Sequence, residues 1–267
     1  PTVKHTMQSL VGSLLWLSNA TRPDLSTITS LLSKYTANPT PAHIKAAKYA
    51  IRYVKGTKDR GISFSSLSDS SLSAFLHFPT TPGTLLPICD ANWGSQDQSH
   101  PNPSNPQELP LFTSRSISGF IILYNGPIHW VSRRQRITAR SSAEAEIYAT
   151  DECVKGLLRI QHLIHDCNVS HIYMPTSTPV KIFNDNNACV CWSKSTTTKG
   201  LRHITIRENA VRESVQNNTI SVQHIKGSYN IADIFTKELK DTALFLKIRD
   251  LITTTVPRTP SMSTGSE

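Results

Sequence analysis

The first sixty residues place apolar side chains at helical spacing, and we predict three helices there. The first ends before Pro23, because proline interrupts a helix. The second covers Leu25–Tyr35. The third runs from Pro41, at the first helical position that proline favours, to Gly56, a residue that commonly follows a helix end.

From residue 84 onward the pattern changes to short strands alternating with helices. Asn125-Gly126 between two apolar runs predicts a β-hairpin. The predicted strands are Leu85–Asp90, Ser118–Tyr124, Pro127–Ser132, Val180–Asp185 and Thr219–Ile225. The predicted helices are Ser141–Cys167, Asn187–Ser193, His203–Asn217 and Ile231–Ile252. This order predicts an α/β fold on a mixed sheet with flanking helices.

Stretches rich in Ser, Thr and Pro separate these regions. We predict a mainly helical segment over 1–65, a linker over 66–83, an α/β domain over 84–252 and a disordered tail over 253–267. A weak strand is expected at Gly61–Ser65 and a long loop at Ser95–Pro110. The chain starts without Met, and we expect it to be a piece of a longer polypeptide.

Charge is concentrated in the helical segment. The net charge is +9, and residues 1–60 hold nine basic and two acidic residues, which accounts for +7 of it. The third predicted helix carries one basic face, formed by Lys45, Lys48, Arg52 and Lys55. Such a face suits a polyanion, nucleic acid first, although a solvated face explains it equally well.

Other classes of protein are disfavoured. No apolar run approaches the roughly 20 residues of a membrane span, so no membrane partner is expected. The five cysteines are odd in number and lack zinc spacing, which favours reduced thiols in an intracellular protein.

Three aspartates lie at positions where catalytic or metal-binding side chains are often found. Asp90 and Asp185 end apolar strands, and Asp233 follows Asn230, a candidate helix N-cap. A turn residue or a helix cap is the ordinary alternative for each of them.

Glu144 and Glu146 need different explanations. Ser141 and Glu144 have the spacing of a capping box, which gives Glu144 a structural role. Glu146 shares its helical face with Ala149 and Cys153, on the core side, where an unpaired carboxylate is costly. A bound metal or a buried ion pair would resolve that cost.

Together these carboxylates predict a metal site. Strand ends and helix N-termini can meet at one edge of an α/β sheet. Four carboxylates there would repel one another unless cations neutralise them, and hard oxygen ligands favour Mg²⁺ or Mn²⁺. Two such ions would support phosphodiester cleavage.

An ordered series of short motifs then resembles the C-terminal part of a copia-type (Pseudoviridae-like) retrotransposon polyprotein, which comprises the end of reverse transcriptase and the ribonuclease H domain. The matching stretches are Ser9-Leu10-Val11-Gly12-Ser13-Leu14-Leu15-Trp16-Leu17, Thr21-Arg22-Pro23-Asp24-Leu25, Tyr53-Val54-Lys55-Gly56-Thr57, Cys89-Asp90-Ala91-Asn92-Trp93, Ser116-Ile117-Ser118-Gly119-Phe120, Ser141-Ser142-Ala143-Glu144-Ala145-Glu146, Asn184-Asp185-Asn186 and Ala232-Asp233-Ile234-Phe235-Thr236-Lys237.

The resemblance implies a ribonuclease H-like five-stranded sheet that follows a thumb or connection segment of the polymerase. It implies an endonuclease that cuts the RNA strand of RNA/DNA hybrids, with Asp90, Glu146, Asp185 and Asp233 holding two Mg²⁺ ions that Mn²⁺ can replace. The implied partners are the hybrid and the polymerase portion of the same polyprotein, within cytoplasmic particles. The resemblance implies no small-molecule cofactor. No polymerase activity is expected, because the Tyr-x-Asp-Asp motif of the polymerase is absent.

Two alternatives stay open. A decayed retroelement would leave a non-catalytic nucleic-acid-binding or connection domain, and an integrase or transposase would have a related fold. The order Asp, Glu, Asp, Asp disfavours the integrase. One departure from the family is that no His follows Lys226-Gly227, and His224 is expected to be structural.

A second basic group precedes the long helix. Arg133, Arg134, Arg136 and Arg140 form it, and beside the metals they would hold the hybrid backbone unless they are a solvated loop. Trp93 and Trp130 are expected in the core.

Overall fold

The computed structural model describes residues 2–64, 70–94, 115–167, 179–195 and 206–255, the side chains of 206–208 excepted. The chain forms two compact units. One comprises Pro1–Ser63 with Arg249–Glu267, and the other comprises Phe64–Ile248. No helix in the described ranges is both long enough and apolar enough to cross a membrane.

The first unit is mainly helical. It contains α1 (Val3–Ala20), a 3-10 turn at Pro23–Leu25, α2 (Ser26–Ser33) and α3 (Pro41–Gly56). The Thr40 side chain accepts from the His43 N–H and caps α3, with Pro41 in its first turn as predicted. The three helices bury one apolar cluster, formed by Met7, Val11, Leu14, Leu25, Leu32, Ala47 and Ala50.

A buried ion pair fixes the corner between α1 and α2. The Arg22 guanidinium donates to both carboxylate oxygens of Asp24, at 2.9 and 2.8 Å. Tyr53 on α3 donates to the same carboxylate at 2.7 Å. Because Arg22 and Asp24 are both buried, their charges need these partners, and the network joins α3 to the corner.

The second unit is built on a mixed five-stranded sheet. Its strands are β1 (Leu86–Asn92), β2 (Ile117–Leu123), β3 (Pro127–Arg134), β4 (Val180–Asn184) and β5 (Ile220–His224). They lie in the order β3-β2-β1-β4-β5. β1 pairs antiparallel with β2 and parallel with β4, and β4 pairs parallel with β5. The predicted mixed sheet with flanking helices and a preceding helical segment is confirmed.

The described residues of this unit form the helices α4 (Ser70–Leu76), α5 (Ser142–Asp166), α6 (Asn187–Lys194) and α7 (Ile206–Gln216). A further helix, α8 (Thr242–Ile252), begins in this unit and ends in residues assigned to the first. The predicted hairpin is present: Asn125 and Gly126 both have positive φ, as the Asn-Gly turn requires. α5 packs on β1 and β2, and its Gly156 lies against Phe120. This face holds the main apolar core.

The opposite face of the sheet is covered at one point by a 3-10 turn, Ile231–Phe235. A Cβ added at Gly119 on β2 would lie 2.7 Å from Phe235 Cβ and 2.5 Å from Thr236 Cγ2. Glycine at 119 therefore lets the turn approach the sheet. Asp90 is directly opposite Gly119 in the strand register, so it shares this face.

Several predicted elements differ from the structure. The last helix is not continuous over Ile231–Ile252, because a 3-10 turn covers Ile231–Phe235 and α8 begins only at Thr242. The hydroxyl of Thr236, just after the turn, donates to Asp90. Helix α4 lies inside the predicted linker and buries Phe75 and Leu76. The strand expected at Gly61–Ser65 is reduced to Arg60–Gly61, which pairs with Thr254–Thr255 in the segment predicted to be disordered.

Other predictions fall partly outside the described residues. These are the loop Ser95–Pro110, the start of the helix predicted at His203–Asn217 and the tail beyond residue 255.

Replacing Gly119 by Ala tests the close approach of the 3-10 turn. We expect a loss of about 1–3 kcal/mol in the free energy of unfolding, because the methyl group would overpack Phe235 and Thr236. Urea denaturation followed by circular dichroism measures it. The matched control is Gly12→Ala in α1, where an added Cβ meets nothing within 4 Å and stability should rise slightly. Equal effects of the two substitutions would contradict the prediction.

Candidate metal centre

Asp90 is fully buried near the end of β1. The Thr236 hydroxyl donates to its Oδ2, and the Lys237 ammonium donates to its Oδ1 at 3.2 Å. A carboxylate at this depth is stable only with such partners or with a bound cation.

Asp185 follows β4 in a tight turn. Asn184 Oδ1 accepts from the Asn186 N–H at 2.8 Å, and the Asn186 side chain caps α6 by accepting from the Cys189 N–H at 3.0 Å. The N-cap of α6 is therefore Asn186. A helix cap, one of the two ordinary explanations for Asp185, does not apply to it. A Cβ at Gly227 would lie 3.0 Å from Asp185 Oδ2, so glycine leaves space for this carboxylate.

Asp233 lies in the first turn of the 3-10 segment, as its position after Asn230 predicts. The Asn230 side chain accepts from the Ala232 N–H at 3.0 Å and donates to the Cys89 carbonyl at 3.2 Å. One buried amide therefore ties the turn that carries Asp233 to the residue before Asp90.

These three aspartates converge. Asp90, Asp185 and Asp233 can each offer one carboxylate oxygen so that all three oxygens lie within 4.8 Å of one another. Three hard oxygen donors at one point fit a divalent cation such as Mg²⁺ or Mn²⁺.

Glu146 is buried beside this group but is not one of its three members. The Asn184 amide donates to Glu146 Oε2 at 2.9 Å. Glu144 is also buried, and its N–H donates to Ser141 Oγ at 3.1 Å, as a capping box requires. In a capping box the Glu144 carboxylate would accept from the Ser141 N–H. Here it accepts from the Arg140 N–H instead, at 2.6 Å.

Burial and mutual repulsion raise the pKa values of three carboxyls at this site. Burial, and then the charge of Asp90, raise the pKa of Glu146 to about 9. The same two causes raise the pKa of Asp233 to about 7. They also raise the pKa of Asp185. The site therefore resists holding all its negative charge without a cation.

Lys237 was not singled out by the sequence analysis. Its ammonium lies 2.7 Å from Asp233 Oδ1 as well as 3.2 Å from Asp90 Oδ1. Burial lowers the pKa of Lys237, but the charges of Asp90 and Asp233 outweigh burial and raise it. The available signal was its spacing, four residues after Asp233 in the same motif.

The arginine group lies on and after the edge strand β3. Arg133, Arg136 and Arg140 are exposed and Arg134 is half-buried. Arg133 pairs with Glu152 at 3.5 Å, so this group does have an acidic neighbour. Its contact with nucleic acid stays a prediction.

The basic face of α3 is exposed at all four predicted positions, Lys45, Lys48, Arg52 and Lys55. Tyr49 lies on the same face, 69% exposed, with the Arg52 guanidinium 5.4 Å from its ring centre. An exposed aromatic ring among cations is a feature that nucleic-acid-binding surfaces use.

The expectation for Trp93 was wrong. Trp93 is 51% exposed, and its indole N–H donates to the Ala139 carbonyl at 3.1 Å. Trp130 on β3 is half-buried. His224 is exposed, and its Nε2 lies 3.2 Å from the Asp185 carbonyl oxygen.

Comparisons with known proteins agree with the motif series. A retrovirus-related Pol polyprotein from transposon RE2 of Arabidopsis thaliana is 29% identical over 238 residues, covering 88% of this chain and 14% of the relative. The Transposon Ty1-DR1 Gag-Pol polyprotein of Saccharomyces cerevisiae is 26% identical over 239 residues, covering 88% of this chain and 12% of the relative. The chain thus spans about one seventh of the length of such relatives. No protein-family model matches it.

Among solved structures, LC11-RNase H1, isolated from compost by a metagenomic approach, overlaps with a TM-score of 0.40 at 14% identity. The overlap covers 61% of this chain and 99% of that one.

The raised pKa values of the carboxyls of Glu146, Asp185 and Asp233 predict that the metal-free protein loses stability as pH rises. Folded Glu146 keeps its proton up to about pH 9, whereas the unfolded carboxyl loses it near 4.5. The folded state therefore binds more protons in this window, and stability falls by at most about 1.36 kcal/mol per pH unit for this group. Melting temperatures in EDTA between pH 5 and pH 9 measure the fall.

Glu146→Gln should flatten that dependence, whereas the exposed Glu238→Gln should leave it unchanged. Addition of Mg²⁺ should raise the melting temperature more at pH 8 than at pH 5.5. A melting temperature in EDTA that is independent of pH in this range would contradict the prediction.

Proposed function

We propose that this chain, a distant homologue of the Pol polyproteins of copia-type and Ty1 retrotransposons over 88% of its length, hydrolyses the RNA strand of RNA/DNA hybrids as a metal-dependent ribonuclease H. The observation that carries the proposal is the convergence of Asp90, Asp185 and Asp233 at one end of β1. These are three of the four carboxylates that the motif series implies.

The donor set suits two Mg²⁺ ions, with Mn²⁺ as a substitute. Asp90, Asp185 and Asp233 would share the binding, and Glu146 would complete it from α5. Such ions, when bound, supply an activated water and stabilise the departing oxygen of a phosphodiester.

The chain itself supplies orientation and charge. Thr236 and Lys237 hold the Asp90 carboxylate from two sides, and Asn230 fixes the turn of Asp233. The Lys237 side chain is 36% exposed, so its ammonium could turn toward solvent if the aspartates held a cation. There it would meet the negative phosphate of a substrate.

Nucleic acid would be held by two basic surfaces, one in each compact unit. The first is the α3 face with Tyr49. The second comprises Arg133, Arg134, Arg136 and Arg140 near β3. Contacts of this kind position a backbone without reading sequence.

In the polyprotein, the polymerase portion would be the covalent partner, and cytoplasmic particles would be the place of action. Both come from the family resemblance.

The decisive substitution is Asp185→Asn. We expect wild-type protein with Mg²⁺ to cut the RNA strand of a labelled hybrid, and Asp185→Asn to lower the rate at least 100-fold because the site loses a charged ligand. Gel analysis of the labelled RNA measures it. The control is Asp166→Asn, at an aspartate that is 78% exposed at the end of α5. If the wild-type protein binds the hybrid but does not cut it with Mg²⁺ or Mn²⁺, the non-catalytic binding domain is the better description.

The α3 face should contribute to the salt dependence of hybrid binding. Changing Lys45, Lys48, Arg52 and Lys55 to Gln together should weaken binding and lower the slope of log K against log salt by up to about 4. Fluorescence anisotropy across a salt series measures the slope. The matched control changes four exposed lysines outside this face, Lys4, Lys181, Lys194 and Lys240, to Gln. Equal slopes for the two variants would show that the α3 face is only solvated.

A further inference from the structure

We propose that Asn184 is a positioning residue of the metal centre, which holds Glu146 in place for a divalent cation while it shapes the turn that carries Asp185. The inference rests on the proposed function, because it concerns the same carboxylates.

The amide nitrogen of Asn184 faces α5. Asn184 is the last residue of β4 and is fully buried. Its Nδ2 donates to Glu146 Oε2 at 2.9 Å, and it lies 3.5 Å from both Thr150 Oγ1 and Cys89 Sγ. The amide therefore fixes the orientation of the Glu146 carboxylate, which could bind a cation from this position.

The amide oxygen of Asn184 faces the other way along the chain. It accepts from the Asn186 N–H at 2.8 Å, which closes the turn around Asp185. The same side chain therefore connects the carboxylate on α5 with the carboxylate after β4, although the two are distant in sequence.

Asparagine is the residue type that this position needs. A carboxamide donates and accepts at the same time and carries no charge. It holds Glu146 without neutralising it, in contrast with Lys237, whose charge compensates Asp90 and Asp233. A leucine would leave Glu146 Oε2 and the Asn186 N–H without this partner. An aspartate would add a further negative charge beside Glu146.

Residues that orient a metal ligand change metal affinity or activity 10–100-fold when they are lost. We therefore expect Asn184→Leu to weaken Mn²⁺ binding at least tenfold. The electron paramagnetic resonance signal of free Mn²⁺ measures binding without reference to nuclease activity. The matched control is Asn186→Ala, which removes the cap of α6 but no contact to Glu146, and its Mn²⁺ affinity should stay within threefold of wild type.

A double-mutant cycle separates the two halves of the role. If Asn184 acts through Glu146, then Asn184→Leu should weaken Mn²⁺ binding less than tenfold once Glu146→Gln is present, and the remaining loss reports its effect on the Asp185 turn. If the tenfold loss persists in the Glu146→Gln background, the coupling to Glu146 is overturned. An affinity of Asn184→Leu within threefold of wild type also overturns it.

A second variant covers the case in which Asn184→Leu does not fold. Asn184→Ser is smaller and polar, but its hydroxyl is too short to span from β4 to Glu146, so it should show the same loss of Mn²⁺ affinity. Circular dichroism reports whether each variant keeps the sheet.

Activity and binding together distinguish the two proposals. Wild-type protein that binds Mn²⁺ but cuts no hybrid removes the proposed function, and the Mn²⁺ affinities still decide the role of Asn184. Wild-type protein that binds no Mn²⁺ overturns both. In an active wild type, Asn184→Leu should lower kcat 10–100-fold and leave KM for the hybrid within threefold, since Asn184 is buried away from solvent.

Discussion

The burial of Asp90 among other carboxylates, which repel one another, is the constraint on which this structure depends. Asp90 has no exposed surface, and burial, followed by the charge of Asp90, raises the pKa of Glu146, Asp185 and Asp233. A fold that buries such a group needs compensating donors or cations. Here Thr236 and Lys237 supply part of the compensation, and the rest is what a divalent ion would provide.

The sheet determines where the compensation comes from. Antiparallel pairing of β1 with β2 places Asp90 opposite Gly119, on the face that receives the 3-10 turn. The parallel neighbour β4 brings Asp185 to the same end of the sheet. α5 lies on the other face, so Glu146 approaches beside Cys89 and Asn184. The four carboxylates therefore approach one another from both faces of one sheet at the ends of its strands.

Much of this arrangement could be predicted from local patterns. The Asn-Gly hairpin, the start of α3 at Pro41 and the long helix α5 depend on residues close together in sequence, and each was found where expected. The choice of Glu146 as a core-facing residue followed from its helical face. Glu144 is buried as well, so burial alone would not distinguish it from Glu146. Its hydrogen bond from the Arg140 N–H gives Glu144 a structural role.

What the sequence by itself determined is the order of strands and helices, the carboxylates that deserve a chemical explanation and the excess of positive charge in the first unit. Those properties are local or additive along the chain. Tertiary structure alone decided that α4 buries Phe75 within a Ser- and Thr-rich stretch, that Trp93 is exposed, and that Lys237 and Asn184 touch the carboxylates. The physical reason is that these contacts join residues up to 147 positions apart, and no periodicity or spacing along one segment records which distant side chain will fill a hydrogen bond.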